Sequence, residues 1–452
     1  MNRLRDFWLW LSSTLWFIPG TMVVVSVLLA VALTALDVVI GHDWTEDHPL
    51  FFGVGAEGAR GMLSAIAGSM MTVASLTFSL TISTLATASS QYTSRLIRNF
   101  MRDRYNQFVL GYFVGLFAYC LVVLRTIRGG DEGREFIPAI AVMAGLVLAL
   151  VSIGVLIFFI HHIASSIQAA TILERVTHET LAALATWFPQ EMGQPARPGT
   201  EIPQKAEAPG TVWHAITADR TGYVRSVDEQ ALLDLATRND TVVRMEVDVG
   251  GFVTRHGVLC TIARVKPLDE ALLRGLRGAF GVGGSRTVQQ DPAFGVRQLV
   301  DIGLKALSAG VNDTTTGVMC VDYLGAVLEC ITRRNIPEQL RAQDGTLRVI
   351  AKGRSFEGLV GLCFDQIRLC AGENVAVQVS LLRAFTHAAR QTGDPARRRV
   401  LLGQAQRVAE VADRTLPFDH DRAQVRAALE PCLAQLDLPG APRAEALLPP
   451  RP

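Results

Sequence analysis

Between Gly61 and Ala88 the chain is apolar on average yet dense in hydroxyls, with SMMTVASLTFSLTISTLATASS at its centre. Written as a helix, Thr72, Ser75, Ser79, Ser83, Thr87, Ser90 and Ser94 fall on one stripe at steps of three and four. Such hydroxyls can line a water-filled path when several copies ring an axis, and Arg98 and Arg102 continue the stripe to a mouth that would concentrate anions. The competing reading is close helix packing, which small hydroxyl residues also permit. Leu76 points into the stripe, so the face is not clean. From Ser75 to Ser83 hydroxyl and apolar residues alternate strictly, which alone reads as a strand. A single strand among helical spans would leave its backbone unpaired in lipid, so a helix is expected.

A second constellation lies further on. Arg297, Asp301 and Lys305 are spaced four apart on one helix face, with Asp291 at its start and Asn312 and Asp313 just beyond its end. They could form a ligand or subunit contact; ion pairing along the helix is the plainer reading. His42, Asp43, Glu46, Asp47 and His48 crowd one loop without a recognised metal-ligand spacing. His161-His162 at a span boundary could sense pH, or could be a satisfied interfacial pair. Gly281-Val282-Gly283-Gly284-Ser285-Arg286 lacks the Gly-Lys-Ser/Thr ending of a phosphate-binding loop. With no nucleophile elbow, H-E-x-x-H or kinase motif, no residue is named as catalytic, no cofactor is expected, and the reading leans away from an enzyme.

Four apolar segments must carry the stripe: about Leu15–Leu36, Gly61–Ala88, Phe108–Leu124 and Ile137–Ile160. Trp8, Trp10 and Trp16 stand before the first, where interfacial aromatics belong. Arg95, Arg98, Arg102 and Arg104 follow the second span, while the loop before it is acidic. The positive-inside rule then places both termini on the cytoplasmic side, with Arg125, Arg128 and Arg134 diluting the signal. The first 170 residues hold only ten Arg, no Lys and ten acids, whereas the chain as a whole is 49% hydrophobic, 19% charged and of net charge +1. That balance excludes a general nucleic-acid binder. The seven cysteines form no C-x-x-C pair and read as reduced, small apolar residues.

The expected fold is therefore a four-helix transmembrane domain (1–162), a helical extension and Pro/Gly-rich linker (163–210), a β-rich domain (211–266), a mainly helical cytoplasmic domain (267–437) and a disordered tail (438–452). Within the β-rich part, Gly222-Tyr223-Val224 and Val249-Gly250-Gly251-Phe252-Val253, followed by Gly257 and Leu259, resemble the two halves of a barrel-sandwich motif. A helix over EQALLDLATR replaces the hairpin whose Lys carries biotin or lipoate in that fold, so a covalent carrier is not expected. Asp291 and Pro292 open a helix as N-cap and first-turn residue, and Asn312 or Asp313 caps the next.

The run QDPAFGVRQLVDIGLKALSAGVNDTTTG, Gln290 to Gly317, resembles a signature of bacterial predicted membrane proteins catalogued as domain of unknown function, number 2254. That signature reads D-P-A-F-G-x-R-x-L-V-D-I-A, then A-L-S-P, then N-D-P-x-T. Here Gly303, Ala309 and Thr314 stand at the Ala and the two Pro positions, changes that loosen a helix and relax two turns. With the four-span front and GYVRSVD, the resemblance covers residues 1 to about 335 and implies a membrane protein without an assigned activity. The residues themselves point to a homo-oligomeric, channel-like protein in the bilayer, passing ions or responding to a small ligand. A membrane-anchored sensor or scaffold without a pore is the alternative.

Overall fold

The structure of the 452-residue chain is a computed structural model that describes residues 16–40, 55–91, 103–128, 136–187, 194–195, 200–201, 210–265, 267–288, 291–334, 336, 339–440 and 442–449. It divides into two compact units, residues 1–168 and 169–452.

The first unit consists of α1 (Phe17–Ile40), α2 (Ala56–Gln91), α3 (Arg104–Thr126) and α4 (Ala139–Ser166). These helices cover the four expected apolar segments, and the hydroxyl-rich segment is helical throughout, as lipid demands of an isolated segment. α3 is the centre, packed by α1, α2 and α4 around Leu63, Phe113, Leu116, Tyr119, Val123 and Phe159. Gly111 and Gly115, four apart on α3, let α1 approach closely: a Cβ at Gly111 would lie 2.7 Å from Met22 Sδ.

Charged side chains join the helix ends. The Asp37 carboxylate, on α1, accepts from the Ile140 and Ala141 amides of α4 at 2.9 and 3.1 Å. Arg60, on α2, donates to the carbonyl of Ile127, the C-cap of α3, at 2.8 Å. An acid therefore meets a helix N-terminus and a base a helix C-terminus, each complementing the partial charge there.

The second unit opens with α5 (Ala169–Trp187). The expected helical extension of α4 does not run on. Its helix stops at Ser166, and α5 begins after Ile167-Gln168 and packs on helices of its own unit. Among the described residues nine strands follow in two sheets: β1 (Gln194–Pro195), β2 (Val212–Thr217), β3 (Gly222–Val227), β4 (Val243–Met245), β5 (Phe252–Val253), β6 (Val258–Arg264), β7 (Phe280–Gly283), β8 (Leu340–Gln343) and β9 (Thr346–Ile350). One sheet has the order β1-β8-β9-β4-β6-β2, with β4 and β9 parallel and the other pairs antiparallel. The other, β5-β3-β7, pairs Gly222 with Val253 and Tyr223 with Phe252, so the two halves of the barrel-sandwich-like pattern do meet. Between those halves lies α6 (Glu229–Arg238), capped by Asp228. The sheet region is not closed at residue 266: α7 (Glu270–Gly278), β7, β8 and β9 belong with it, and Leu272, Leu276, Phe280 and Val349 share its core with Ile216, Leu232, Val243 and Ile262.

The remaining helices are α8 (Pro292–Ala306), α9 (Thr314–Arg333), α10 (Phe356–Ala371), α11 (Val375–Arg390), α12 (Pro395–Thr415), α13 (Asp419–Leu436) and α14 (Ala444–Leu447). Side-chain caps start most of them, among them Asp313, Ser355, Asn374 and Asp394. Leu324, Leu328, Phe364, Leu381, Phe385, Leu401, Val408 and Leu429 are buried at their centre. α9 also has the length and apolarity to cross a membrane, so five described helices do. It is flanked by α5, α8, α10 and α11, and the Ser380 hydroxyl donates to its Asp322 at 2.9 Å. The expected disordered tail is corrected in part: Leu448 is fully buried, and the Pro449 carbonyl accepts from Arg422, itself fully buried in α13.

Candidate functional site

α2 buries one face and leaves the other sides, with both hydroxyl and apolar residues such as Met71, Phe78 and Ile82, exposed. Leu63, Ala67, Met70, Ala74, Thr77 and Thr84 are buried against the other helices of the first unit. Thr72, Ser75, Ser79 and Ser83 are exposed on the opposite side, and Thr87 is half-buried. Leu76 is exposed among them, as its spacing implied. The Ser90 side chain, Ser94, Arg98 and Arg102 lie outside the described residues, as does the His42–His48 loop.

Three of these hydroxyls donate within the helix. Thr72 donates to the Gly68 carbonyl, Ser75 to Met71 and Thr87 to Ser83, each at 3.0 Å. Back-bonding to the preceding turn satisfies the donor and lowers its cost in lipid, while the oxygen stays able to accept. Further along the same face Gly61, Ser64 and Gly68 are exposed, and a Cβ built on either glycine meets nothing within 4 Å. Glycine costs about 1 kcal/mol in a helix relative to Ala, and no neighbour within the chain requires it here.

The second constellation separates. Asp291 and Asp313 stand at opposite ends of the 15-residue α8, roughly 22 Å of helix apart, so the six residues do not form one site. Asp291 occupies the N-cap position but makes no side-chain cap bond. Its carboxylate instead takes two N–H groups of Arg286, through Nε and Nη2, and Arg286 lies over the Phe294 ring at 5.0 Å. The left-handed turn at Gly250 (φ +82°) sits against this pair: a Cβ there would fall 2.1 Å from Asp291 Oδ2. Next to that turn is Asp248, which accepts from the Val249 amide at 2.7 Å. Burial first of all pushes its carboxyl up to about 6, the Val249 amide and Arg354 oppose the shift, and Asp291 and Glu229 add to it.

On α8 itself Arg297 Nε donates to Asp301 at 2.9 Å, while Lys305 is exposed. Asn312 turns the chain with φ +48°, and Asp313 caps α9 through the amide and hydroxyl of Thr316. Those bonds, the hydroxyl first, hold the Asp313 carboxyl below its usual value. At the start of the same signature Gly295 allows α8 to meet α5, since a Cβ would overlap Thr180 Oγ1 at 2.0 Å. The signature from Asp291 to Thr316 thus contributes to two ion pairs, one close helix contact and one turn.

The glycine-rich run after Phe280 is partly strand β7, paired with β3, and not a loop opening a helix. His162 Nε2 lies 2.8 Å from Asp103 Oδ2, with Tyr105 at 5.1 Å and Phe158 stacked at 6.0 Å, the arrangement of a satisfied interfacial histidine. Among the described residues no three His, Cys, Asp or Glu converge as metal ligands. All seven cysteines are free, and burial pushes Cys260 and Cys363 up to about 12, which keeps them as unreactive thiols. Arg286, Asp248, Asp37 and Asp103 are absent from the sequence-based candidates. Asp37, an acid inside an apolar span, and Asp103, an acid between two arginines, carried a visible signal.

Comparison with known proteins gives a consistent picture. The sequence model of a family described as predicted membrane protein (DUF2254) matches residues 12–387. An uncharacterized protein of Mycobacterium bovis is 32% identical over 446 residues, covering 97% of this chain and 84% of the relative. An uncharacterized protein of Mycobacterium tuberculosis matches to the same extent. No solved structure shows a significant match.

Proposed function

The chain belongs to the DUF2254 family of predicted membrane proteins, and on that footing we propose that it is a homo-oligomeric, channel-like protein of the bacterial inner membrane. α1–α4 cross the bilayer with both termini in the cytoplasm, and residues 169–452 form an assembly and gating region there. α9 stays with that region, a reading supported by its packing among α5, α8, α10 and α11 and by the bonded Asp322.

One observation carries the proposal. α2 buries Leu63, Ala67, Met70 and Ala74 within its own bundle and leaves Gly61, Ser64, Gly68, Thr72, Ser75, Ser79 and Ser83 exposed, with Met71, Leu76, Phe78, Leu80 and Ile82 exposed beside them. In lipid, a small and hydroxyl-bearing helix face gains most from another helix that packs against it or from water along it. Copies arranged about an axis supply both: Gly61 and Gly68 allow backbone approach at one end, and the serines line the path at the other.

The test is purification in mild detergent, native mass measurement, and conductance in planar bilayers. Wild type is expected as a closed ring of three or more chains that conducts. Ser79→Leu with Ser83→Leu is expected to keep the ring and lose conductance. A monomeric chain, or unchanged conductance in the double variant, refutes the pore.

A further inference from the structure

Where α2, α3 and α4 meet near the start of α3, they leave a narrow, outward-opening cavity of about 60 Å³. None of Thr72, Ser75, Ser79 and Ser83 lines it, so the cavity is independent of the exposed hydroxyl face.

Its lining changes character along its length. Thr77, Leu110 and Phe159 stand toward the middle of their helices, whereas Leu85, Asn106 and Ile163 stand toward the end where α3 begins and α4 finishes. The deep part is apolar in effect, because the Thr77 and Thr81 hydroxyls donate to the carbonyls of Ala74 and Thr77 and leave their methyls to the space. The other end is polar. Asn106 and Gln107 lie on the first turn of α3, beside Asp103 and its partner His162. The Asn106 amide oxygen is buried and has no hydrogen-bond partner among the described residues. A buried acceptor left unmatched costs about 1–3 kcal/mol, which a donor entering the cavity would recover.

Two further observations say what enters. Phe78 and Ile82 line the cavity and are each 49% exposed, so it opens on the apolar outer surface of the first unit. Trp16, strongly exposed, begins α1, whose first turns lie against Gly111 of α3, so an interfacial aromatic marks the level of the polar end. A space that is apolar within the membrane, polar at the interface and open to lipid matches a single-chain amphiphile entering from the bilayer. We propose that this cavity seats the first methylenes of a phospholipid acyl chain, the rest of which stays in the bilayer, while the head group donates a hydrogen bond to Asn106 Oδ1.

The probe is lysophosphatidylethanolamine, which has one acyl chain and an ammonium donor. Full-length protein, stripped of lipid in mild detergent, is titrated with it and observed by native mass spectrometry. Wild type is expected to retain one molecule per chain. Thr81→Trp, which fills the cavity from a half-buried position, is expected to weaken retention at least tenfold. Asn106→Leu should weaken it about tenfold while the apolar space remains, and Ser83→Leu, outside the lining, should leave it unchanged. Equal retention by wild type and Thr81→Trp overturns the proposal, as does no retention by wild type. If Thr81→Trp does not fold, Leu85→Phe fills the same space and is read in the same way.

Discussion

Asp248 is a carboxylate placed where burial opposes its charge, with the Arg286–Asp291 pair and Glu229 on one side and Arg354 on the other. Its ordinary value of 3.8 rises to about 6 in the folded chain. Between these two values the folded chain holds a proton that the unfolded chain has released. Stability therefore falls as pH rises through this window and levels off above about 6. A shift of this size corresponds to about 2–3 kcal/mol. Asp248→Asn keeps an acceptor for the Val249 amide and removes the charge. Amide exchange in β4 and β6 of the full-length protein, corrected for intrinsic rates, should show protection dropping from pH 4 to 6.5 in wild type and staying flat in the variant. Parallel curves would remove Asp248 as the cause.

At the scale of elements, the first unit is joined through its helix ends as much as along its helix faces. Asp37 reaches from α1 to two amides of α4, Arg60 from α2 to the end of α3, and Asp103 from the start of α3 to His162 near the end of α4. These groups complement the partial charges of the helix termini, and within a membrane water is a poor substitute for them. Asp37→Ala leaves the Ile140 and Ala141 amides without that acceptor and should cost about 2 kcal/mol. Asp37→Asn, which retains one acceptor oxygen, should cost less. Unfolding of the purified protein by increasing dodecyl sulfate in mixed micelles measures both, and equal midpoints for wild type and Asp37→Ala would show the contact to be idle. In the second unit the α5–α8 contact depends on Gly295. Gly295→Leu is expected to separate the two helices and to expose Leu173 and Val176, which are now buried on α5.

Across the whole molecule, the last residues complete the second unit. Arg422 has no exposed surface, and its guanidinium is matched by the Asp413 carboxylate and carbonyl and by the carbonyl of Pro449. Arg426 adds a bond to the Leu448 carbonyl at 2.9 Å. Deleting residues 438–452 would leave a buried cation short of an acceptor and uncover the surface under Leu448. About 2–3 kcal/mol is at stake, which should lower the unfolding midpoint of the second unit by roughly 5–10 °C. Arg422→Met in the truncated chain, which removes the charge but keeps much of the volume, should recover part of that loss. A truncated chain as stable as the full one would make the tail contact incidental.

How much of this was legible in the sequence follows the range of the interactions. The helical state of the hydroxyl segment, the four apolar spans, α6 between the paired halves of the small sheet, and the α8–turn–α9 punctuation all depend on residues within one or two turns of each other. Period, Gly and Pro placement and capping chemistry decide them locally, so Pro292, Asn312 and Asp313 could be read correctly one residue at a time. Where α4 ends was less legible: α5 repeats its helical period, and the break at Ile167-Gln168 carries no Pro or Gly. The partners of the charged groups were not legible either. Asp291 looked like an N-cap and pairs with Arg286, five residues earlier, instead, where the Gly250 turn from another part of the chain closes against the pair. β9 joins β4 across more than a hundred residues, and Asp37 meets α4 across a similar distance. Such pairings come from the fit of whole surfaces, which no local pattern encodes. The sequence by itself determined which segments are helices, which can enter a membrane and where the hydroxyl face lies. Only the tertiary structure decided that this face is left uncovered, together with apolar neighbours such as Phe78 and Ile82, and that an open, polar-ended cavity remains beside it.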